Sequence, residues 1–80
     1  MPRYYFHTED SRQAPDREGV DLPDLAAARQ EAVRALGEML KERSEAFWNE
    51  GLLRMRVADG AGLTLFLIEV NAIAAPAAGG

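Results

Sequence analysis

His7 is the one imidazole in this chain, and Glu9, two residues along the same segment, falls on the same side if that segment is a strand. With a carboxylate from the next segment, Asp16 or Glu18, the two have the donor types of a zinc or nickel site. The competing reading is a half-exposed strand histidine hydrogen-bonded to an acid. That reading is favoured, because a lone histidine among scattered carboxylates has no diagnostic ligand spacing. Glu9 and Asp10 form an acid pair on paper, but strand neighbours point to opposite faces, so solvated loop acids explain them better. Tyr5 and His7, with Arg54 and Arg56, have the composition of a platform for single-stranded nucleic acid. No nucleophile elbow, glycine-rich phosphate loop or Ser/His/Asp set is present. Trp48 is either a lid over the core edge or an exposed anchor for a partner, and the lid is favoured by the usual burial of large aromatics.

The elements that position these residues are readable from spacing. Residues 3–8 alternate, with Tyr4, Phe6 and Thr8 on the more apolar face and Arg3, Tyr5, His7 and Glu9 on the other. A polar, proline-containing loop follows, and residues 18–22 return as a short edge strand with Gly19 at a bulge or positive φ. Asp24 is the expected helix N-cap, preceded by Pro23. Leu25, Ala28, Ala32, Ala35, Leu36, Met39 and Leu40 recur at helical spacing, so one amphipathic helix is expected to run on to a stop at Gly51, weakening after Arg43. On its outer side Arg34 with Glu38, and Lys41 with Glu45, are spaced as exposed ion pairs. Leu53, Met55 and Val57 then alternate with Arg54 and Arg56, and a glycine-rich turn at residues 59–62 leads into a final strand, residues 63–70. That strand is apolar on both faces, with Leu63, Leu65 and Leu67 on one and Phe66, Ile68 and Val70 on the other. The expected fold is therefore α+β: a ββαββ unit whose four-stranded, mainly antiparallel sheet carries one long helix packed on one face. Residues 1–70 form a single domain in this reading, and the Ala/Pro/Gly-rich residues 71–80 form a disordered tail. Strand order is not set by these patterns.

Eighty residues lie near the lower limit for a self-sufficient core. With no cysteine, neither disulfides nor thiolate metal sites can add to it, so good packing or an oligomer interface must. Thirteen acidic against nine basic residues give a net charge of −4, the wrong sign for a nucleic-acid binder. The opening residues lack the apolar run of a signal peptide, and no apolar stretch is long enough for a membrane span, so a cytoplasmic protein is expected. A single lysine, Lys41, among many arginines and alanines matches a GC-rich bacterial genome.

The residues Pro2-Arg3-Tyr4-Tyr5-Phe6-His7, the Asp16, Gly19, Leu22-Pro23-Asp24 segment, the Ala27-Ala28-Arg29 and Ala32 run, and Val57, Asp59 and Gly62 together resemble DUF6894. This is a family of small proteins of unknown function from rhizobia and related Alphaproteobacteria. The resemblance spans nearly the whole chain apart from its tail. It implies the same ββαββ unit and brings no activity, cofactor or catalytic residue. A looser likeness, over the first half, is to HicB-type antitoxins, which also place Pro-Asp-Leu at a strand-to-helix junction, as Pro23-Asp24-Leu25 does here. This chain departs from them in lacking a glycine-and-cysteine segment after that junction and a DNA-binding helix pair.

Taken together, the expectation is a non-enzymatic interaction or regulatory module, without cofactor, metal, nucleic acid or membrane as partner. It acts through protein contacts and forms a homodimer. The expected interface is Tyr5, Leu63, Leu65 and Leu67, because one helix covers only one face of the sheet and apolar patches of several hundred Å² are rarely left bare on monomers. The alternatives are an antitoxin-like partner-binding protein and a minor enzyme or metal binder centred on His7.

Overall fold

The computed structural model describes residues 1–9 and 13–78. It contains β1 (Arg3–Glu9), β2 (Gln13–Ala14), β3 (Val20–Asp21), α1 (Leu25–Glu42), α2 (Ser44–Glu50), β4 (Leu52–Ala58) and β5 (Thr64–Asn71), with a 3₁₀ turn at Pro76–Ala78. The fold is α+β. β1 lies inside the sheet, paired antiparallel to β4, which pairs antiparallel to β5. The returning segment is split: β2 meets the end of β1 (Thr8 opposite Ala14) and β3 its beginning (Tyr4 opposite Val20). β3 and β4 thus run parallel with β1 between them, and α1 and α2 form the crossover that joins them. Among the described residues no helix is long and apolar enough to cross a membrane.

Asp24 caps α1 as its position predicts, its Oδ1 accepting the Ala27 N–H at 2.9 Å. The apolar stripe then lies on the sheet. Ala28 and Ala32 are fully buried, and with Leu36 they close over Tyr4, Leu53, Met55 and Val57. Thr8, also buried, points its hydroxyl at the Met39 sulfur, 3.9 Å away. The expected single helix is in fact two. At Arg43 the backbone leaves helical values (φ −119°, ψ 33°), and α2 continues to Gly51, whose φ of 74° closes it in the left-handed conformation. The reason is length. The eighteen residues of α1 extend about 27 Å, whereas a seven-residue strand extends about 23 Å. A straight continuation would leave the sheet, and the bend lets Phe47 pack against the core cluster.

Two surface pairs differ from the spacing rule. Arg34 takes Glu31, one turn earlier, in a two-point contact at 2.6 and 3.0 Å. Lys41 and Glu45 sit on either side of the break at Arg43. The final strand runs one residue further than expected, to Asn71, and the Ala72 N–H donates to the Gly51 carbonyl at 2.9 Å. Of the tail expected to be disordered, residues 79 and 80 lie outside the described residues.

Two glycines make opposite predictions. Gly19 has φ of +72°, and a Cβ there would stand 2.8 Å from Arg3 Cγ and 3.0 Å from the Tyr4 carbonyl. Gly19→Ala should therefore cost about 1–2 kcal/mol in urea unfolding. Gly37 sits in the exposed middle of α1 with nothing within 4 Å of such a Cβ. Gly37→Ala should raise stability by up to about 1 kcal/mol in the same assay.

Candidate interaction surface

The face of the sheet opposite the helices carries Tyr5, His7 and Glu9 from β1, Arg54 and Arg56 from β4, and Leu67 and Glu69 from β5. The register sets three rows across it: Tyr5, Ala58, Thr64; His7, Arg56, Leu67; and Glu9, Arg54, Glu69. Both arginines are engaged by carboxylates. Arg54 Nη2 meets Glu69 Oε1 at 2.5 Å, directly across the strands, and Arg56 Nε meets Glu9 Oε2 diagonally at 3.6 Å. Arg56 also donates to the Thr64 hydroxyl at 3.3 Å. Such part-exposed pairs stabilise little, but they neutralise the basic half of the nucleic-acid platform that the composition alone would allow. The aromatic half exists: the Tyr5 and His7 rings stack, 6.5 Å apart and 10° from parallel. Arg54 Nε is shielded from water and has no acceptor among the described residues, Glu69 being drawn to the Nη2 side.

Asp16 is the residue whose role sequence reasoning missed. Between the Tyr4 and Thr8 pairings the returning chain leaves β1, and no strand carbonyl faces the Phe6 N–H from that side. Asp16 Oδ2 takes that N–H at 3.2 Å, while Oδ1 accepts from Glu18 and Gly19 at 3.1 Å each. The carboxylate stands in for the absent strand. Its own N–H donates to His7 Nδ1 at 3.0 Å. On the same loop Arg3 donates to the Glu18 carbonyl and pairs with Asp21 at 3.1 Å.

These contacts bear directly on His7. Since Nδ1 accepts a hydrogen bond, the neutral ring must carry its proton on Nε2, and neither nitrogen then offers a lone pair to a metal. Glu9, the co-ligand such a metal site would need, is held by Arg56 instead. Among the described residues no three His, Cys, Asp or Glu side chains are grouped to hold a metal ion. Asp10, the second acid of the suggested pair, lies outside the described residues.

The expected interface residues are placed unequally. Leu63 and Leu67 are 64% and 51% exposed. Leu65 falls where the register shifts between Val57 and Ala58. It sits in a bulge with no direct opposite, half-buried and packed against the core cluster. Tyr5 is half-buried beside His7. Trp48, expected as a core lid, is 67% exposed with its ring edge-on to Phe47. The bend at Arg43 turns Phe47 inward and its neighbour outward. Beneath this bend a cleft of about 30 Å³ is lined by Met39, Leu40, Phe47 and Leu53 among others, room for a water or two.

Fold and surface define a small α+β domain with helices on one face of its sheet and a paired-charge, part-apolar surface on the other. The chain belongs to the family described as Domain of unknown function (DUF6894), which it matches over residues 3–71. No curated protein and no solved structure was found to match it.

Burial pushes the Asp16 carboxyl up, but the N–H groups of Gly19, Phe6 and Glu18 and the nearby His7 outweigh it and hold the pKa below the ordinary aspartate range. A carboxyl lowered in the folded state contributes its stability above the unfolded value, about pH 4, and loses it as pH falls through the folded one. Asp16→Asn keeps one acceptor oxygen of two, so it should unfold about 1–2 kcal/mol more easily at neutral pH. Denaturant titrations below about pH 4 should show wild type converging on the variant; parallel curves would exclude the role given to this carboxylate. Nitrogen-15 shifts of the His7 ring should report a bare Nδ1 and a protonated Nε2 in the neutral form. The opposite tautomer would break the Asp16 contact as described.

Proposed function

We propose that this chain is a non-enzymatic interaction module that works by protein–protein contact and self-associates through β5. The observation that carries the reading is the state of that strand. It closes one edge of the sheet, and Leu67 with the adjoining Leu63 stays more than half exposed although the chain is short of buried apolar surface. Tyr5 and Leu65, half-buried alongside, complete the proposed contact region. The small cleft and the occupied His7 ring support the non-enzymatic reading over one centred on a metal or on acid–base chemistry. The neutralised arginines and the net charge of −4 support a protein partner over nucleic acid. The same reading takes the chain to be cytoplasmic and alphaproteobacterial, the latter from its resemblance and its arginine-over-lysine bias. An antitoxin-type module would use the same surface for a toxin rather than for its own copy. The Pro23-Asp24-Leu25 junction, where Asp24 caps α1, is what favours it.

Light scattering at tens of micromolar should give a dimer, since even micromolar affinity populates one there. Leu67→Lys, at an exposed position, should give a monomer with an unchanged circular dichroism spectrum. Leu65→Lys should instead lose about 1–3 kcal/mol of stability, because Leu65 packs against the core. A wild-type chain that stays monomeric at these concentrations would refute self-association. Recovery from the native host of a stoichiometric complex with a different, toxin-like protein would favour the antitoxin reading.

A further inference from the structure

The two edges of this sheet are built differently. On one, β2 and β3 are two-residue strands separated by a loop with Pro15, and Asp16 caps the β1 amide they leave bare. Interrupted edges with proline and inward-turned charge are the usual protection against pairing with another chain. β5, at the other edge, is eight residues long with no proline, and its one charge, Glu69, is drawn back to Arg54. Its bulge lies near the start, so residues 66–71 are regular. In an antiparallel strand every second residue turns its N–H and C=O away from the neighbour, and no described strand pairs with that side of β5.

Resting on the self-association reading above, we propose the mode of contact: β5 pairs antiparallel with β5 of a second copy. The two-fold axis stands perpendicular to the sheet near Leu67 and Ile68, giving one continuous sheet with the helices of both copies on the same side. Two features select a second copy as occupant. Under this symmetry a strand meets itself reversed, so with the axis on either residue Phe66 and Ile68 face apolar residues of the copy. These two side chains are only half-buried by their own helices. The charge distribution agrees. Each chain carries −4, a general repulsion between copies, yet along β5 the one acid is already neutralised. The edge therefore lets two acidic chains meet without opposed like charges.

Amide hydrogen exchange followed by NMR on the full chain tests the pairing, at low and at several-hundred-micromolar concentration. Edge pairing should slow the outward-facing amides among residues 66–71 by about tenfold or more on dimerisation, leaving none of them fast. A mixed sample of labelled and unlabelled chains should also give β5-to-β5 contacts between molecules. A dimer in which alternate β5 amides exchange as in the monomer would overturn edge pairing while leaving self-association intact, as for two chains stacked face to face. A chain that stays monomeric at the higher concentration would overturn both.

Discussion

Close approach of α1 to β1 and β4 is the constraint on which the remaining features depend. Ala28 and Ala32 are fully buried at the contact, and side chains this small bring the helix backbone near the sheet. That proximity covers Tyr4, Met55 and Val57. It also narrows what one helix can shelter: the deepest burial lies along β1 and β4, and β5 holds only half-buried or exposed apolar residues. Bulky residues at 28 and 32 would lift the helix and widen its reach, but would open gaps above Val57, where interiors tolerate little. The dry centre and the exposed edge thus have one cause.

The polar side of the sheet is settled by local pairing. Where β1 lacks a neighbour, Asp16 supplies an acceptor, because a bare amide on a sheltered strand is costly. Where β4 carries arginines, Glu9 and Glu69 stand within reach on the flanking strands. Each solution uses a side chain from the neighbouring segment of the sheet. None gathers several titratable groups around a common cavity, the arrangement acid–base or metal chemistry requires.

What was legible in the sequence is what local chemistry decides. The Asp24 cap, the left-handed Gly51 and the inward set Leu53, Met55 and Val57 follow from residue type and period, and all three are where spacing put them. The break at Arg43 was not legible as a break, because it answers to the length of a sheet that the helix sequence does not encode. The usual burial of large aromatics favours a lid for Trp48, yet past the break it stands exposed, edge-on to Phe47. Leu65 was misplaced by the alternation rule because one extra residue in β5 moves it off the outer row. Asp16 was weighed as a metal ligand when its partners are backbone amides brought near by the sheet. Long-range partners of a single polar residue leave no trace in periodicity.

Size links these points to the open edge. Hydrophobic residues make up 48% of the chain, yet among the described residues the large apolar or aromatic side chains that are buried are Tyr4, Leu36, Leu53, Met55 and Val57. A helical layer bent to stay over a seven-residue strand cannot shelter the rest. The unburied apolar groups are nonetheless unevenly placed. Leu63 and Leu67, with the half-buried Phe66 and Ile68, fall in and beside the long β5, while the opposite edge exposes Val20 on a two-residue strand and is interrupted and capped by Asp16. Among the described strands, the β5 edge alone lacks the interruptions that guard a strand against pairing.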